Sequence, residues 1–145
     1  MLITELSFPY TENHGFYRPK IPVVLSASGL KTRVLGLLDS GSDYVLIPEG
    51  VAEAVGIDVK GREEKANGVG GRIKCRSGLA TVTVRKGKVS KTIRNMRVHV
   101  PVSGDSEFDE VLLGRIPFFK FFKIEFNENA KRVVLKPVRR GLKEK

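Results

Sequence analysis

The sequence has few of the residues that stabilise secreted or metal-bound domains. Its 145 residues include one cysteine, Cys75, and two histidines. A single cysteine excludes an intramolecular disulfide, and so few thiols and imidazoles predict no metal site. We expect no cofactor. A chain of this length can form its own core, because folding buries roughly two-thirds of the surface that the unfolded chain exposes.

Long apolar runs are also missing. No stretch approaches the roughly 18 apolar residues of a membrane span, and the acidic Glu5 lies where a secretion signal would carry positive charge. The sequence therefore predicts a cytoplasmic protein with no membrane partner. The length indicates one domain, which we place at residues 1–137, followed by a basic tail at 138–145.

Positive charge is concentrated in two segments. The net charge is +10, and residues 60–100 hold twelve Lys or Arg against two Glu. The tail could contact nucleic acid or an acidic partner, although chain ends are commonly solvated and frayed. Residues 60–100 contain no Phe, Tyr or Trp, so stacking on bases is not supported there. Nucleic acid is thus the less favoured partner.

Alternating apolar residues predict a mostly β protein. Apolar and polar residues alternate over 80–85, 96–100 and 122–126. This period of two predicts half-buried strands, and it places His99 on the solvent side of the second. The third strand leads into a hairpin over 122–136. Further strands are expected over residues 3–8, 23–26 and 33–38.

Helix signals are few. Pro48 suits a first helical position and Gly56 a left-handed stop, which predicts one short helix between them. A second short helix is expected near Ile116-Pro117.

An acidic turn follows an apolar strand. Asp39-Ser40-Gly41-Ser42-Asp43 stands between Leu37-Leu38 and the apolar run 44–47. Burial penalises a carboxylate that has no partners. Ser40 offers a hydroxyl, and Gly41 a backbone without Cβ that can approach closely. The alternative is a structural turn in which Asp39 bonds only its own backbone.

Two further segments carry glycine in an apolar setting. Gly68-Val69-Gly70-Gly71-Arg72-Ile73 predicts the tip of a hairpin, and it lacks the lysine and hydroxyl of a phosphate loop. An ordinary flexible turn is the alternative. Val111-Leu112-Leu113-Gly114-Arg115 predicts a buried strand that ends at Gly114, with Arg115 either paired to a carboxylate or exposed to solvent.

Taken in this order, the three segments resemble the retropepsin-like aspartic proteases, single-lobe relatives of pepsin. The resemblance covers about residues 34–122. It implies a closed β-barrel or sandwich lobe with a glycine-rich flap hairpin and one or two short helices. It assigns catalysis to the turn Asp39, Ser40 and Gly41, and support to Ser42, Leu113, Gly114 and Arg115; Asp43, Gly68, Val69, Gly70 and Gly71 would bind substrate.

The implied activity is that of an aspartic endopeptidase. Only one Asp-Ser/Thr-Gly occurs, so a homodimer would be needed, with Asp39 of each chain forming a pair that activates water to cleave an extended peptide or protein substrate. The alternative is a non-catalytic dimerisation or peptide-binding module with a tail on nucleic acid. The N-terminal arm and the C-terminal hairpin exceed the compact retroviral form, which leaves the dimer contact open.

Overall fold

The computed structural model describes residues 4–68, 71–102 and 109–138. Within them the chain forms eleven strands, a seven-residue α-helix and a 3₁₀ turn. The strands are β1 (Leu6–Pro9), β2 (Thr11–Asn13), β3 (Phe16–Arg18), β4 (Lys20–Ala27), β5 (Leu30–Leu38), β6 (Lys60–Gly68), β7 (Gly71–Lys86), β8 (Val89–Pro101), β9 (Val111–Leu113), β10 (Phe122–Asn127) and β11 (Arg132–Pro137). The helix α1 covers Glu49–Val55, and the 3₁₀ turn covers Phe118–Phe121.

The largest sheet has six strands and curls into a half-barrel, which confirms the predicted mostly β fold. Its order is β6-β7-β4-β5-β9, and β8 pairs with β7. The pairing of β5 with β9 is parallel, whereas the other pairings are antiparallel. A second sheet has the order β1-β11-β10, and β2 and β3 form a separate hairpin. Of the predicted basic tail, only Val138 lies within the described residues.

The core lies between the sheets and follows the alternation seen in the sequence. Ala80, Val82 and Val84 on β7 are buried, as predicted, because successive side chains of a strand point to opposite faces. In the predicted hairpin of β10 and β11, Phe122 is buried. The alternation weakens toward the turn, where Phe126 is 41% exposed. Cys75 is fully buried.

The prediction for His99 is wrong. The imidazole is buried, with only 2% of the residue exposed. The segment after the acidic turn runs beside the end of β8: the His99 amide donates to the carbonyl of Val45, and the Ile47 amide donates to the carbonyl of His99. The Tyr44 ring of this segment lies 4.3 Å from the imidazole, centroid to centroid, and helps to cover the face that would otherwise meet solvent.

The helical predictions are confirmed. The helix α1 begins directly after Pro48 and ends at Gly56, whose φ of 74° is the left-handed conformation that glycine adopts at low cost. The 3₁₀ turn follows Pro117. In the part of the chain that the structure describes, no helix is long and apolar enough to cross a membrane.

Candidate active site

Asp39 lies at the point where β5 leaves the sheet. The parallel partner β9 ends beside it, with Leu38 opposite Leu113. The Asp39 amide donates to the Leu113 carbonyl at 3.1 Å, and the Leu38 amide donates to the Pro19 carbonyl at 3.0 Å. The backbone that carries Asp39 is thus fixed from both sides before the turn begins.

The carboxylate of Asp39 is bonded inside its own turn. The Gly41 amide donates to Oδ1 at 2.9 Å, and the Ser42 amide donates to the Asp39 carbonyl at 3.1 Å. A Cβ on Gly41 would come within 3.2 Å of Oδ1, which is a tight contact. The structural turn posed as an alternative is therefore present, and it occupies one carboxylate oxygen. No described residue donates a hydrogen bond to Oδ2, and the residue is half-buried.

The two serines of the turn have different surroundings. Ser42 is buried, and its hydroxyl donates to the carbonyl of Tyr44 at 2.8 Å, within the loop. Ser40 is exposed, and its hydroxyl has no hydrogen-bond partner among the residues described. Ser42 therefore stabilises the loop from inside, while Ser40 remains available to a group outside this chain.

Gly114 fits against the backbone of the acidic loop. The Arg115 amide donates to the Ser42 carbonyl at 2.9 Å, and the Ile116 amide donates to the Asp43 carbonyl at 2.7 Å. A Cβ on Gly114 would lie 2.7 Å from the Ser42 carbonyl oxygen and would also clash with that of Tyr44. Only glycine allows the chain after β9 to pass this close.

Leu113 anchors β9 from the other side. Its side chain is fully buried. A Cβ added to Gly36 of β5 would lie 2.7 Å from Cδ1 of Leu113, so the leucine fills the space that the missing side chain leaves. Gly36 is a position that the sequence analysis did not single out.

Arg115 pairs with Asp43. Its Nη1 lies 2.7 Å from Oδ1 of Asp43, and both side chains are about half-exposed in the single chain. The two alternatives considered for Arg115 are thus both partly met, because the guanidinium has a carboxylate partner and also contacts solvent.

The glycine-rich segment lies in the hairpin of β6 and β7. Gly68 pairs with Gly71. Val69 and Gly70 lie outside the described residues. Glu64 of β6 links this hairpin to β8 through its side chain. Its carboxylate contacts Nη2 of Arg97 at 3.0 Å and Nε2 of His99 at 3.2 Å.

His99 is the feature that sequence reasoning missed. Its ring lies 4.3 Å from that of Tyr44, centroid to centroid, and its buried Nδ1 has no hydrogen-bond partner within the described part of the chain. Burial lowers the pKa of His99, although the hydrogen bond to Glu64 acts in the opposite direction. Alternation within β8 could not reveal this, since the covering segment is some fifty residues away in the sequence.

Comparison with known proteins agrees with this arrangement. A family profile described as aspartyl protease matches residues 23–115, which run from β4 through Arg115. The chain belongs to the aspartyl protease family. The matched region includes the acidic turn, the β6–β7 hairpin and Gly114, so the family assignment covers the whole candidate site.

Two solved structures are similar to this family member. One is a retropepsin-like aspartic protease from Rickettsia conorii, with 16% identity and a TM-score of 0.57, covering 92% of this chain and 100% of that one. The other is the EIAV protease in complex with the inhibitor HBY-793, with 23% identity and a TM-score of 0.49, covering 73% of this chain and 89% of that one. The first supports a retropepsin-like fold. A search of curated proteins found no match.

Proposed function

We propose that this protein is an aspartic endopeptidase that acts as a homodimer. The observation that carries the proposal is the carboxylate of Asp39, held by the Gly41 amide at 2.9 Å on one oxygen while no described donor reaches the other. The chain has a single Asp-Ser-Gly, so one copy supplies half of an aspartic protease pair. A second copy related by a two-fold axis would supply the other half.

The reaction would use the two carboxyl groups in different protonation states. Two carboxylates within hydrogen-bond distance cannot both ionise easily, so the pair would hold one proton; aspartic proteases are the standard example of this effect. The ionised member would take a proton from the bound water, which attacks the peptide carbonyl carbon. The protonated member would polarise the carbonyl oxygen. Breaking of the C–N bond then needs a proton on the leaving amine, which the pair returns.

The surrounding residues would hold this turn in register. Gly41 allows the amide to approach the carboxylate, and Ser42 bonds inside the loop through the Tyr44 carbonyl. We propose that the exposed hydroxyl of Ser40 bonds across the two-fold axis. Gly114 supports the loop from below through the close approach of its backbone.

Substrate binding would involve the β6–β7 hairpin and Asp43. A hairpin over the cleft would bind an extended peptide through main-chain hydrogen bonds, with Gly68, Val69, Gly70 and Gly71 at its tip. Asp43, oriented by Arg115, would accept a hydrogen bond from the peptide backbone. The excess of Lys and Arg over residues 60–100 would favour acidic peptides near the cleft.

The direct test is Asp39→Asn, assayed against a peptide library across a broad pH range. Cleavage by the wild type and its loss in Asp39→Asn are expected. Asp58→Asn is the matched control, because it makes the same chemical change at an exposed carboxylate that pairs with Lys60 away from the turn. It should leave cleavage intact. If Asp39→Asn still cleaves the peptides, the activity belongs to another site or to a contaminant. If the wild type cleaves no peptide, the protein is a non-catalytic module.

A mixing experiment separates a shared site from a site within one chain. Excess Asp39→Asn chain added to the wild type should form mixed dimers with one carboxylate and so reduce the activity of a constant amount of wild type. The same excess of a doubly substituted Asp39→Asn, Gly114→Arg chain, which is expected not to fold, should not reduce it. Activity that stays constant under both additions would contradict the homodimer.

A further inference from the structure

One face of the large sheet carries positive charge on strands that contain no Asp or Glu. Residues 13–38 and 65–104 contain no Asp or Glu, and these two stretches include all of β4, β5, β7 and β8. We call the solvent-facing side of these four strands the outer sheet face. It lies opposite the buried side chains of β4 and β7, such as Val23 and Val82. Exposed or half-buried residues on it include Lys20, Lys31, Arg33, Thr81, Thr83, Arg85, Ser90 and Thr92.

Cations and hydroxyls form rows across this face. Arg33 lies opposite Val24, Val24 opposite Thr83, and Thr83 opposite Thr92. This row spans three strand spacings, or about 14 Å. The flanking rows pair Lys31 with Ser26 and Arg85 with Ser90. Arginine donates in a rigid fork that suits phosphate, and hydroxyls add neutral donors beside it.

The positive side chains converge on a groove at one end of the face. The groove has a volume of about 450 Å³, and Lys20, Arg33, Arg85 and Lys86 line it. Lys20 is paired with Glu110 at 2.9 Å, and Lys86 stacks over the ring of Phe8. Arg33 and Arg85 are exposed and form no ion pair with any described residue. Two guanidinium groups are therefore available to an anionic partner.

We propose that the outer sheet face binds the phosphate backbone of double-helical nucleic acid. The four strands carry charge of one sign, with Lys20 offset by Glu110, and a row of about 14 Å is comparable with the roughly 12 Å width of the major groove, so its ends can reach phosphates on both nucleic-acid strands. The four strands contain no Phe, Tyr or Trp, and Phe8 and Tyr10, which also line the groove, are buried. Neither ring is therefore open to the stacking that single-stranded nucleic acid would use or that protein interfaces favour at their centres. Because phosphate contacts carry no direct sequence information, we expect little dependence on base sequence.

The test is binding of a labelled duplex of about 20 base pairs to the full chain by fluorescence anisotropy, over a range of salt concentrations. The Arg33→Glu, Arg85→Glu variant should bind the duplex at least about tenfold more weakly than the wild type. The slope of its log affinity against log salt concentration should be less negative by about two, one for each lost phosphate contact. The control is Lys120→Glu, Lys123→Glu, which has the same net charge and changes two exposed lysines outside the four strands. It should stay within about threefold of the wild type.

Several outcomes would overturn the proposal. Equal weakening by both double variants would mean that net charge alone attracts the duplex. If the wild type does not bind the duplex at low salt, the outer sheet face is not a nucleic-acid site. Tighter binding of poly-glutamate or of anionic vesicles through the same two arginines would assign the face to an acidic protein or a membrane. Asp39→Asn should bind the duplex like the wild type, so this test is independent of the proposed protease activity.

Discussion

Nη1 of Arg115 donates a hydrogen bond of 2.7 Å to Oδ1 of Asp43, 72 residues earlier in the sequence. This bond joins the end of β9 to the loop that follows Asp39. Two backbone hydrogen bonds run beside it, from the amides of Arg115 and Ile116 to the carbonyls of Ser42 and Asp43. The acidic loop is therefore held by a strand that is distant in sequence.

Loss of the Asp43 charge should affect cleavage more than stability. Both partners of the Asp43–Arg115 pair are about half-exposed, so Asp43→Asn should lower the free energy of unfolding by less than about 1 kcal/mol. The same change should lower kcat/KM by about tenfold, which corresponds to about 1.4 kcal/mol, because it weakens a charge-assisted hydrogen bond to the substrate backbone. Urea unfolding and peptide cleavage measure the two effects.

Asp58→Asn serves as the comparison for that variant. It breaks the more exposed pair with Lys60, whose atoms are 3.2 Å apart. It should change neither stability nor cleavage appreciably. Full activity in Asp43→Asn would remove the proposed contact between Asp43 and the peptide.

Gly114→Ala should be strongly destabilising. The added methyl group would lie 2.7 Å from the Ser42 carbonyl oxygen, and backbone atoms cannot move aside as a flexible side chain can. We expect a loss of about 3 kcal/mol, at the upper end of the usual cost of overpacking. Chemical unfolding gives the value. Gly50→Ala makes the same change within α1, where nothing lies within 4 Å, and should be neutral or stabilising by up to about 1 kcal/mol. Equal effects of the two substitutions would contradict the close approach at Gly114.

Leu113→Ala should leave a cavity beneath the acidic turn. The side chain is fully buried and fills the space over Gly36, so we expect a loss of about 3 kcal/mol. Leu35→Ala removes the same atoms from a side chain that is 47% exposed, and it should cost much less. Thermal unfolding of the two variants provides the comparison, and a similar loss in both would mean that Leu113 does not support the turn in this way.

The stability of the protein should fall as the pH falls below about 6.5 because of His99. Burial lowers the pKa of His99 from its ordinary value of 6.5, so the unfolded chain binds a proton at a higher pH than the folded chain does. At pH values between the two pKa values, the unfolded state binds more protons than the folded state does. The free energy of unfolding therefore rises with pH, by at most about 1.4 kcal/mol per pH unit. His99→Gln should remove this part of the slope, as measured by urea unfolding at several pH values.

For His99→Gln, the informative quantity is the slope of the free energy of unfolding against pH. The absolute stability is less informative, since any substitution of a buried residue affects packing. His14→Gln makes the same chemical change at an exposed histidine in the turn between β2 and β3 and serves as the control. A wild-type slope in His99→Gln would place the titrating group elsewhere.

The sequence by itself determined the local elements and the order of the motifs. The alternation over residues 80–85 predicted the buried face of β7, and Pro48 and Gly56 bounded α1, because these signals depend only on neighbouring residues. The acidic turn, the glycine-rich hairpin and Gly114 were recognised for the same reason. The β2–β3 hairpin was not predicted, since its strands have three residues each and every side chain of β3 is exposed.

Only the tertiary structure decided what covers each face and which distant residues meet. His99 is buried because the segment after Asp43 pairs with the end of β8 and brings the Tyr44 ring onto the imidazole, and no periodicity within β8 reports a neighbour from another part of the chain. The role of Gly36 and the clustering of cations on the outer sheet face likewise depend on strand order. Burial and charge clustering arise from contacts between distant segments, whereas turns and alternation arise from steric preferences along the chain itself.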